Sequence, residues 1–183
     1  MARLPIDGYG QIEINNCAFR RDGRIEAQCA PNATDFKGVV LENGMIYAVD
    51  TVNKEVKLAV DESLPLAINY SAEHARDERK TGLKDFAINP ENDALPRLGY
   101  LSVGDKFTTN TLTGTTWDDV KDLDTVPMYG QVAADGSIEL TTTFPTTKIA
   151  LKAVKKTTMP DGQPAVQFQV LAVYPVVVAK EGE

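Results

Sequence analysis

Residues 97–116, RLGYLSVGDKFTTNTLTGTT, restrict the fold more than any other part of this sequence. They are rich in Thr, Val, Gly and aromatic side chains, and they contain no catalytic pattern. β-Branched and aromatic residues separated by turn-forming Gly, Asn and Asp favour short strands. Segments of the same character recur along most of the chain. The sequence therefore predicts an all-β fold, mainly an antiparallel barrel or sandwich of about ten short strands.

The most distinct predicted hairpin turns through Pro160, Asp161 and Gly162. Pro presets its own φ for a turn, and Gly tolerates the positive φ that completes it. Residues 149–157 lead into this turn and residues 165–174 return from it, with apolar and Gln residues alternating in the return strand. Such alternation is typical of a half-buried antiparallel strand.

A three-stranded meander is predicted over residues 39–60. Asn43 and Gly44 mark its first turn, since Asn-Gly is among the stronger short signals for a hairpin. Residues 51–54 mark its second turn, between two further apolar segments.

Residues 20–24, RRDGR, also predict a hairpin turn, and the register of that hairpin relates the two cysteines. A two-residue turn places Cys17 opposite Gln28, whereas a three-residue turn places it opposite Cys29. Only the second register brings the sulfurs near bonding distance. Thiols of a protein made in the cytoplasm are normally reduced, so two free cysteines are the favoured interpretation, with pairing left open.

One short helix is predicted near residues 71–81, with Ser71 as its N-cap and a surface that is polar nearly all round. The chain of 183 residues fits a single β-rich domain. The loop at residues 89–96 contains two prolines and is the candidate for a subdomain boundary. Residues 1–10 form a candidate extended arm, because Pro and Gly interrupt regular structure there.

Charge and hydropathy exclude several classes of partner. The net charge of −7 is spread over both halves of the chain, so no basic stripe for nucleic acid is expected. No run approaches the roughly 18 apolar residues of a membrane-spanning helix, so no membrane partner is expected. The N-terminal residues lack a secretory apolar region, which predicts synthesis in the cytoplasm.

No motif predicts an enzyme, a cofactor or a metal site. The single histidine, His74, lies beside Asp77 and Glu78, and a solvated helix face is the favoured interpretation of that cluster. An acidic group beside Trp117 does not have the spacing of a calcium-binding loop, and it is interpreted as a solvated turn. Its members are Asp118, Asp119, Asp122 and Asp124.

Two patterns are candidates for binding a partner. Four lysines fall in a segment without acidic residues, and they are the predicted partner-binding residues: Lys148, Lys152, Lys155 and Lys156. They suggest a docking strip for an acidic surface, and the alternative is an edge strand whose lysines prevent edge-to-edge pairing. A second pattern consists of closely spaced threonines, which predict a solvated strand face or, alternatively, a flat hydrogen-bonding surface. These are Thr108, Thr109, Thr111, Thr113, Thr115 and Thr116.

Three stretches together resemble a known group of proteins: MIYAVDTVNKEVKLAV at 45–60, LAINYSAEHARDERKTGLKDFAI at 66–88 and PRLGYLSVGDKFTTNTL at 96–112. They are similar to small structural proteins of tailed bacteriophages, encoded beside the major capsid protein and described as head decoration, cement or auxiliary capsid proteins. The resemblance covers about a third of the chain and carries no catalytic residue with it.

The resemblance implies a virion structural protein that decorates and stabilises the outside of a capsid. Its partner would be the lattice of the major capsid protein, its location the capsid surface of the virion, and it would be a candidate homo-oligomer there. The alternative hypothesis is a β-barrel or sandwich module that binds a saccharide or another polar ligand. That alternative depends on Trp117, Tyr100, Tyr129 and the threonine-rich face.

Overall fold

The computed structural model describes residues 9–60, 63–71, 87–88, 90, 95–113, 120, 123 and 126–176. These residues form short strands and one helix, α1 (Ala18–Asp22). The strands are β1 (Ile12–Asn16), β2 (Ile25–Glu26), β3 (Ala30–Pro31), β4 (Leu41–Glu42), β5 (Ile46–Asp50), β6 (Glu55–Lys57), β7 (Leu66–Asn69), β8 (Ala87–Ile88), β9 (Leu98–Gly99), β10 (Lys106–Thr109), β11 (Leu112–Thr113), β12 (Tyr129–Val132), β13 (Ile138–Thr141), β14 (Ile149–Thr158) and β15 (Pro164–Val173). The predicted all-β class is confirmed.

The strands form three sheets. The seven-stranded sheet has the order β1-β10-β15-β14-β12-β13-β11, the six-stranded sheet has the order β2-β9-β7-β5-β6-β3, and β4 pairs with β8. Pairing is antiparallel except between β11 and β13 and between β3 and β6. Neither of the larger sheets closes into a barrel within the described residues, so the arrangement is sandwich-like.

The main core lies between the two larger sheets. Phe107, Leu151 and Phe168 from the seven-stranded sheet belong to the same buried cluster as Ile46 and Ile68 from the six-stranded sheet. Side chains alternate along a strand, so each of these residues has neighbours that point to the opposite face. The seven-stranded sheet consequently has one apolar face toward the core and one outer face.

The six-stranded sheet is covered on both of its faces. Tyr47 and Val49 of β5 point away from the main core and join a second buried cluster with Phe36 and Leu41. All five residues of β5 are therefore buried. The loop after β3 and the two-stranded sheet provide this second layer.

Two predicted turns, at residues 160–162 and 51–54, are confirmed. The β14–β15 hairpin pairs Thr158 with Pro164 and turns through Gly162, whose φ is +91°. The β5–β6 hairpin turns at residues 51–54, and β12 and β13 are joined across Gly136. In β15, Val166, Phe168 and Val170 are buried, as the alternating pattern predicts.

The first hairpin of the predicted meander is wrong. β4 pairs with β8 and not with β5, because β6 and β7 already occupy both edges of β5. Gly44 does form a turn, with φ at +83°, and its amide donates to the carbonyl of Asn69. The Asn-Gly turn thus carries the chain from the two-stranded sheet into the six-stranded sheet.

The predicted hairpin at residues 20–24 is also wrong. Residues Ala18–Asp22 are helical, and Gly23 ends the helix with φ at +71°. The helical turn buries Phe19, and Asp105 Oδ1 accepts a hydrogen bond from the Ala18 amide at 2.8 Å. β1 therefore pairs with β10, while β2 pairs with β9.

The two cysteines consequently lie in different buried clusters, and both are free thiols. Neither of the two registers considered for Cys17 and Cys29 exists.

Some sequence predictions fall outside the described residues. The predicted helix near residues 71–81 does so except for Ser71, and the arm at 1–10 does so except for Tyr9 and Gly10. The subdomain boundary at 89–96 stays a prediction. Strands from both sides of that loop occur in each of the two larger sheets.

Candidate functional site

The outer face of the seven-stranded sheet carries two of the four predicted lysines. Lys152 lies opposite Gln169, and Lys155 lies opposite Gln167, across β14 and β15. Directly opposed residues project from the same face of a sheet. Both lysines are exposed, while Phe168, between the two glutamines, is fully buried.

We call this surface the polar face. It consists of Lys106, Tyr129, Lys152, Lys155, Gln167 and Gln169, which share the outer side of β10, β12, β14 and β15.

A β-bulge in β14 brings Lys155 onto the polar face. The register shifts between Ala153 and Lys155, so Val154 has no partner of its own on β15. Without this extra residue, strict alternation would place Lys155 on the opposite side of the sheet from Lys152. The same shift places Lys156 opposite buried Val166, on the core side of the hairpin.

Lys148 is separate from the other three lysines. It precedes β14 with φ at +58°, and its Nζ donates a hydrogen bond to the carbonyl of Ala59. The four lysines therefore do not form one continuous strip. This geometry does not test their predicted role in partner binding, which stays a prediction.

The edge interpretation of these lysines applies to part of β14. Residues Tyr129 and Gly130 of β12 pair with Lys152 and Leu151, so this part of β14 is internal to the sheet. Beyond Ala153, whose amide bonds to the carbonyl of Met128, β14 pairs only with β15 among the described strands.

An aromatic pair borders the polar face. The rings of Tyr129 and Phe144 meet edge to face with centroids 5.3 Å apart, and Tyr129 is directly opposite Lys152. Phe144 is 42% exposed. Exposed aromatic side chains beside cations are typical of protein-binding surfaces, where aromatics supply contact area at low entropic cost.

The polar face is basic in an acidic protein. It carries three lysines, whereas the whole chain has a net charge of −7. Among the described residues, no salt bridge joins Lys106, Lys152 or Lys155 to an acidic side chain. The register also places Glu13 of β1 and Glu139 of β13 on this outer side, so the three lysines form a cationic patch flanked by two carboxylates. The lysines supply the charge that would attract an acidic partner to that patch.

Asn15 of the edge strand β1 fixes one end of the polar face. Its Oδ1 accepts a hydrogen bond from Thr108 Oγ1 at 2.8 Å and another from Gln167 Nε2 at 3.1 Å. These bonds hold the Gln167 amide in one orientation. Within the polar face, Gln167 is thus held in place before any partner arrives.

The described threonines contradict both interpretations of the threonine-rich segment. Thr108, Thr109 and Thr111 are buried, and Thr109 Oγ1 lies 2.6 Å from the Gln11 carbonyl and 2.7 Å from Thr111 Oγ1. Their hydroxyls hold β1 against β10 and do not face solvent. Thr113 is half-buried, and Thr115 and Thr116 lie outside the described residues.

A second concave surface lies between the ends of the two larger sheets. It is a groove of about 810 Å³, lined on one side by residues of β2, the start of β7 and the segment after β9, and on the other by the ends of β14 and β15. Its walls are mostly apolar, and they include Ile25, Leu64, Leu66, Leu101, Ile149 and Val173. We call it the inter-sheet groove.

The polar groups of the inter-sheet groove are few. Lys148 and Arg24 both line it, and none of its described lining residues is acidic. Tyr100 also lines it, and burial, followed by the charge of Glu26, raises the pKa of that phenol. Tyr100 lines the groove whereas Tyr129 lies on the polar face, so these two residues of the saccharide hypothesis do not share a site.

Sequence reasoning missed Lys106, Phe144 and Arg24. Lys106 reaches the polar face only because β10 pairs with β15, which is a non-local contact. Phe144 and Arg24 lie in loops, where no periodic pattern exists to assign a direction.

The remaining candidate clusters lie outside the described residues. They are the group around His74 and the acidic group beside Trp117. Within the described ranges, no three His, Cys, Asp or Glu side chains are placed to hold a metal ion. The same ranges contain no helix with the length and apolar character needed to cross a bilayer.

Comparison with known proteins adds no relative: no family model matches the chain, and neither curated proteins nor solved structures give a match.

Proposed function

We propose that this protein is a virion structural protein that binds the outside of a tailed-phage capsid and stabilises it. The observation that carries the proposal is the polar face, where half-buried Tyr129 and exposed Phe144 pair beside Lys152, with Lys155 on the same face of the sheet. The sequence resemblance to head decoration proteins indicates the class of partner. The contact would be with the major capsid protein.

The polar face is suited to a large, flat partner. Strands lie about 4.8 Å apart, so the four strands that carry the face span about 15 Å, before side chains are included. Standard protein interfaces bury roughly 800 Å² per partner, with aromatic anchors near the centre and charges toward the rim. Tyr129 and Phe144 supply the anchors, and the lysines supply the charge.

Stabilisation of the capsid would follow from mass action. A protein that binds the assembled lattice, and not the separate subunits, shifts the equilibrium toward the lattice. The lysines accelerate encounter with an acidic surface, while the net negative charge opposes association between copies of the free protein.

The first experiment measures whether the protein belongs to the particle. Purified virions of the phage that encodes the chain are expected to contain it at a fixed copy number per capsid subunit by quantitative mass spectrometry. Particles that lack it are expected to release DNA at a lower temperature. Its absence from purified virions would refute the proposal.

A matched pair of variants tests the polar face. The double variant Lys152→Glu, Lys155→Glu reverses two charges on the face, and Lys37→Glu, Lys54→Glu makes the same change elsewhere on the exposed surface. Binding to particles that lack the protein is expected to weaken at least about tenfold for the first variant, which corresponds to about 1.4 kcal/mol. The second variant is expected to bind like the wild type. Equal losses for both variants would show that net charge, and not the polar face, controls binding.

A saccharide-binding module is the second candidate function. The Tyr129–Phe144 pair is the observation that favours it, because it lies on the same face as the Gln169 amide, one strand beyond Lys152, and sugars stack on aromatic rings and bond to amides. A glycan array and a thermal-shift panel distinguish the two. A sugar-specific shift that Phe144→Ala abolishes would favour this alternative over capsid binding.

A further inference from the structure

The inter-sheet groove is a second concave surface that the polar face does not include. It is formed at the ends of β14 and β15, whereas the polar face occupies their middle. Its volume of about 810 Å³ is within the range of pockets that hold ligands in other proteins. Val173 at 43% and Val176 at 36% exposure leave apolar surface open at its rim.

The charge of the groove indicates the chemistry of its occupant. Arg24 and Lys148 are its two cationic lining residues, and the described lining residues include no carboxylate to balance them. The Lys148 ammonium has three N–H donors, of which one is bonded to the Ala59 carbonyl. An occupant with an apolar body and a carboxylate matches both the walls and the cations.

The backbone at the rim favours a peptide as that occupant. Thr146 and Thr147 precede β14, and Pro175 and Val176 follow β15. The backbone of these four residues makes no hydrogen bond with other described residues. Unpaired amides and carbonyls beside a strand end can receive an extended segment by β-strand addition.

The conformation of Lys148 is a separate indication of a functional surface. A φ of +58° is unfavourable for a residue with a Cβ, and here a hydrogen bond from the side chain to Ala59 holds it. Strained residues of this kind are concentrated at ligand-binding sites. The bond fixes the Lys148 ammonium against the carbonyl of Ala59, while Lys148 itself lines the groove.

From these observations we infer that the inter-sheet groove receives an extended, mainly apolar peptide segment that carries an Asp or Glu side chain, supplied by a capsid subunit. This inference rests on the proposed function, because that function identifies the partner. The carboxylate lies between Arg24 and Lys148, and the apolar residues cover the exposed valines at the rim.

Site-specific cross-linking on whole particles tests the inference. A photoreactive phenylalanine analogue replaces Thr147 at the groove rim, and the same analogue replaces Arg21 of α1, which does not line the groove, as the control. Mass spectrometry then identifies the cross-linked peptide. The expected product joins position 147, and not position 21, to an apolar capsid segment that contains an acidic residue.

Other products would overturn the inference. The inference is wrong if position 147 cross-links only to residues 177–183 of the same chain or only to a second copy of this chain. It is also wrong if position 147 cross-links to nothing on decorated particles. Each of these results leaves the proposed function intact. If the protein does not bind particles at all, the proposed function fails and the inference fails with it.

A pair of arginine variants gives an independent measurement. Arg24→Glu reverses a charge at the groove, whereas Arg21→Glu reverses one on the neighbouring helix, and both side chains are exposed. Affinity for particles is expected to fall about tenfold for Arg24→Glu and to stay within about twofold of wild type for Arg21→Glu. Circular dichroism shows whether each variant is folded. Equal affinities for the two folded variants would contradict the inference.

Discussion

The contact between Gly99 and Phe19 allows a sharp prediction about what holds the first part of the chain in place. Gly99 lies in β9, paired with Ile25 and Ile68 on its two sides. A Cβ at this position would lie 2.5 Å from two carbons of the Phe19 ring and 2.7 Å from a third. Gly99→Ala therefore forces the ring to move by about 1 Å to reach an ordinary contact distance of 3.4 Å or more.

Phe19 has little room to move. Its side chain is fully buried, and its ring packs against Tyr70 with centroids 5.1 Å apart. The short helix that carries it is fixed at Ala18 by the bond to Asp105. Overpacking of a tight core costs about 1–3 kcal/mol, and three atoms in conflict indicate the upper end. Replacing glycine with alanine also reduces the conformational entropy of the unfolded chain, which stabilises the folded state by up to about 1 kcal/mol. The expected net loss of folding stability is therefore about 2 kcal/mol.

Thermal unfolding measures this loss. For a domain of this size, each kcal/mol shifts Tm by about 2–4 °C, so Gly99→Ala should lower Tm by about 4–8 °C. Phe19→Leu is destabilising alone, because it leaves part of the ring volume empty. In the double variant, the smaller side chain at position 19 makes room for the methyl group added at position 99. The loss of stability in the double variant should therefore be smaller than the sum of the two single losses by about 0.5–3 kcal/mol. Strictly additive losses, or an unchanged Tm for Gly99→Ala, would refute the proposed contact.

Two further predictions concern titratable groups. Hydrogen bonds from the Asn53 backbone and side chain, and then from Lys57, hold the pKa of Asp50 well below its ordinary range. A lowered pKa in the folded state contributes stability at pH values above about 4, and that stability is lost as the pH falls toward the folded pKa. Asp50→Asn should therefore lower Tm near neutral pH, with a gap to wild type that narrows at about pH 3, and a constant gap would contradict the assignment. Burial, followed by the charge of Asp105, raises the pKa of Cys17 to about 12, and burial, followed by the charge of Glu26, raises that of Cys29 to about 11. Iodoacetamide should label both thiols in denaturant and neither in the folded protein near neutral pH, so rapid labelling of the folded protein would be inconsistent with this packing.

The parts of the fold that the sequence predicts correctly are those whose pairing is local. The β14–β15 hairpin is specified by a turn of Pro, Asp and Gly and by alternation within ten residues on either side. Register is then fixed, because a slip of one residue would expose Val166 and Phe168. The β5–β6 turn follows the same logic.

The errors arise where a correct turn signal joins elements that pair elsewhere. Gly23 and Gly44 both adopt positive φ, as turn residues should, but neither closes a hairpin. Gly23 ends a helix, whose turn after Cys17 buries Phe19. Gly44 leads into β5, whose two edges are taken by β6 and β7. Turn chemistry predicts where the chain reverses direction, and tertiary packing determines which strands then pair with each other.

The site was predictable only in part, for a similar reason. The lysine-rich segment is visible in the sequence, but the bulge at Val154 determines which lysines share a face. A bulge inserts one residue into an alternating pattern and leaves no mark in composition. The separation of Lys148 from Lys152 depends on its positive φ and on a bond to distant Ala59, which are both tertiary features.

The polar face and the inter-sheet groove are both positioned by the β14–β15 hairpin, but they relate differently to the rest of the fold. The polar face lies on one sheet, so a partner bound there contacts a surface that the β-ladder already holds rigid. The groove has one wall on each of the two larger sheets, from Leu66 on one side to Ile149 on the other. An occupant of the groove therefore connects the two sheets, and its binding energy adds to the energy that keeps them together. A partner that used both surfaces would attach through the polar face, and by filling the groove it would stabilise this protein against unfolding.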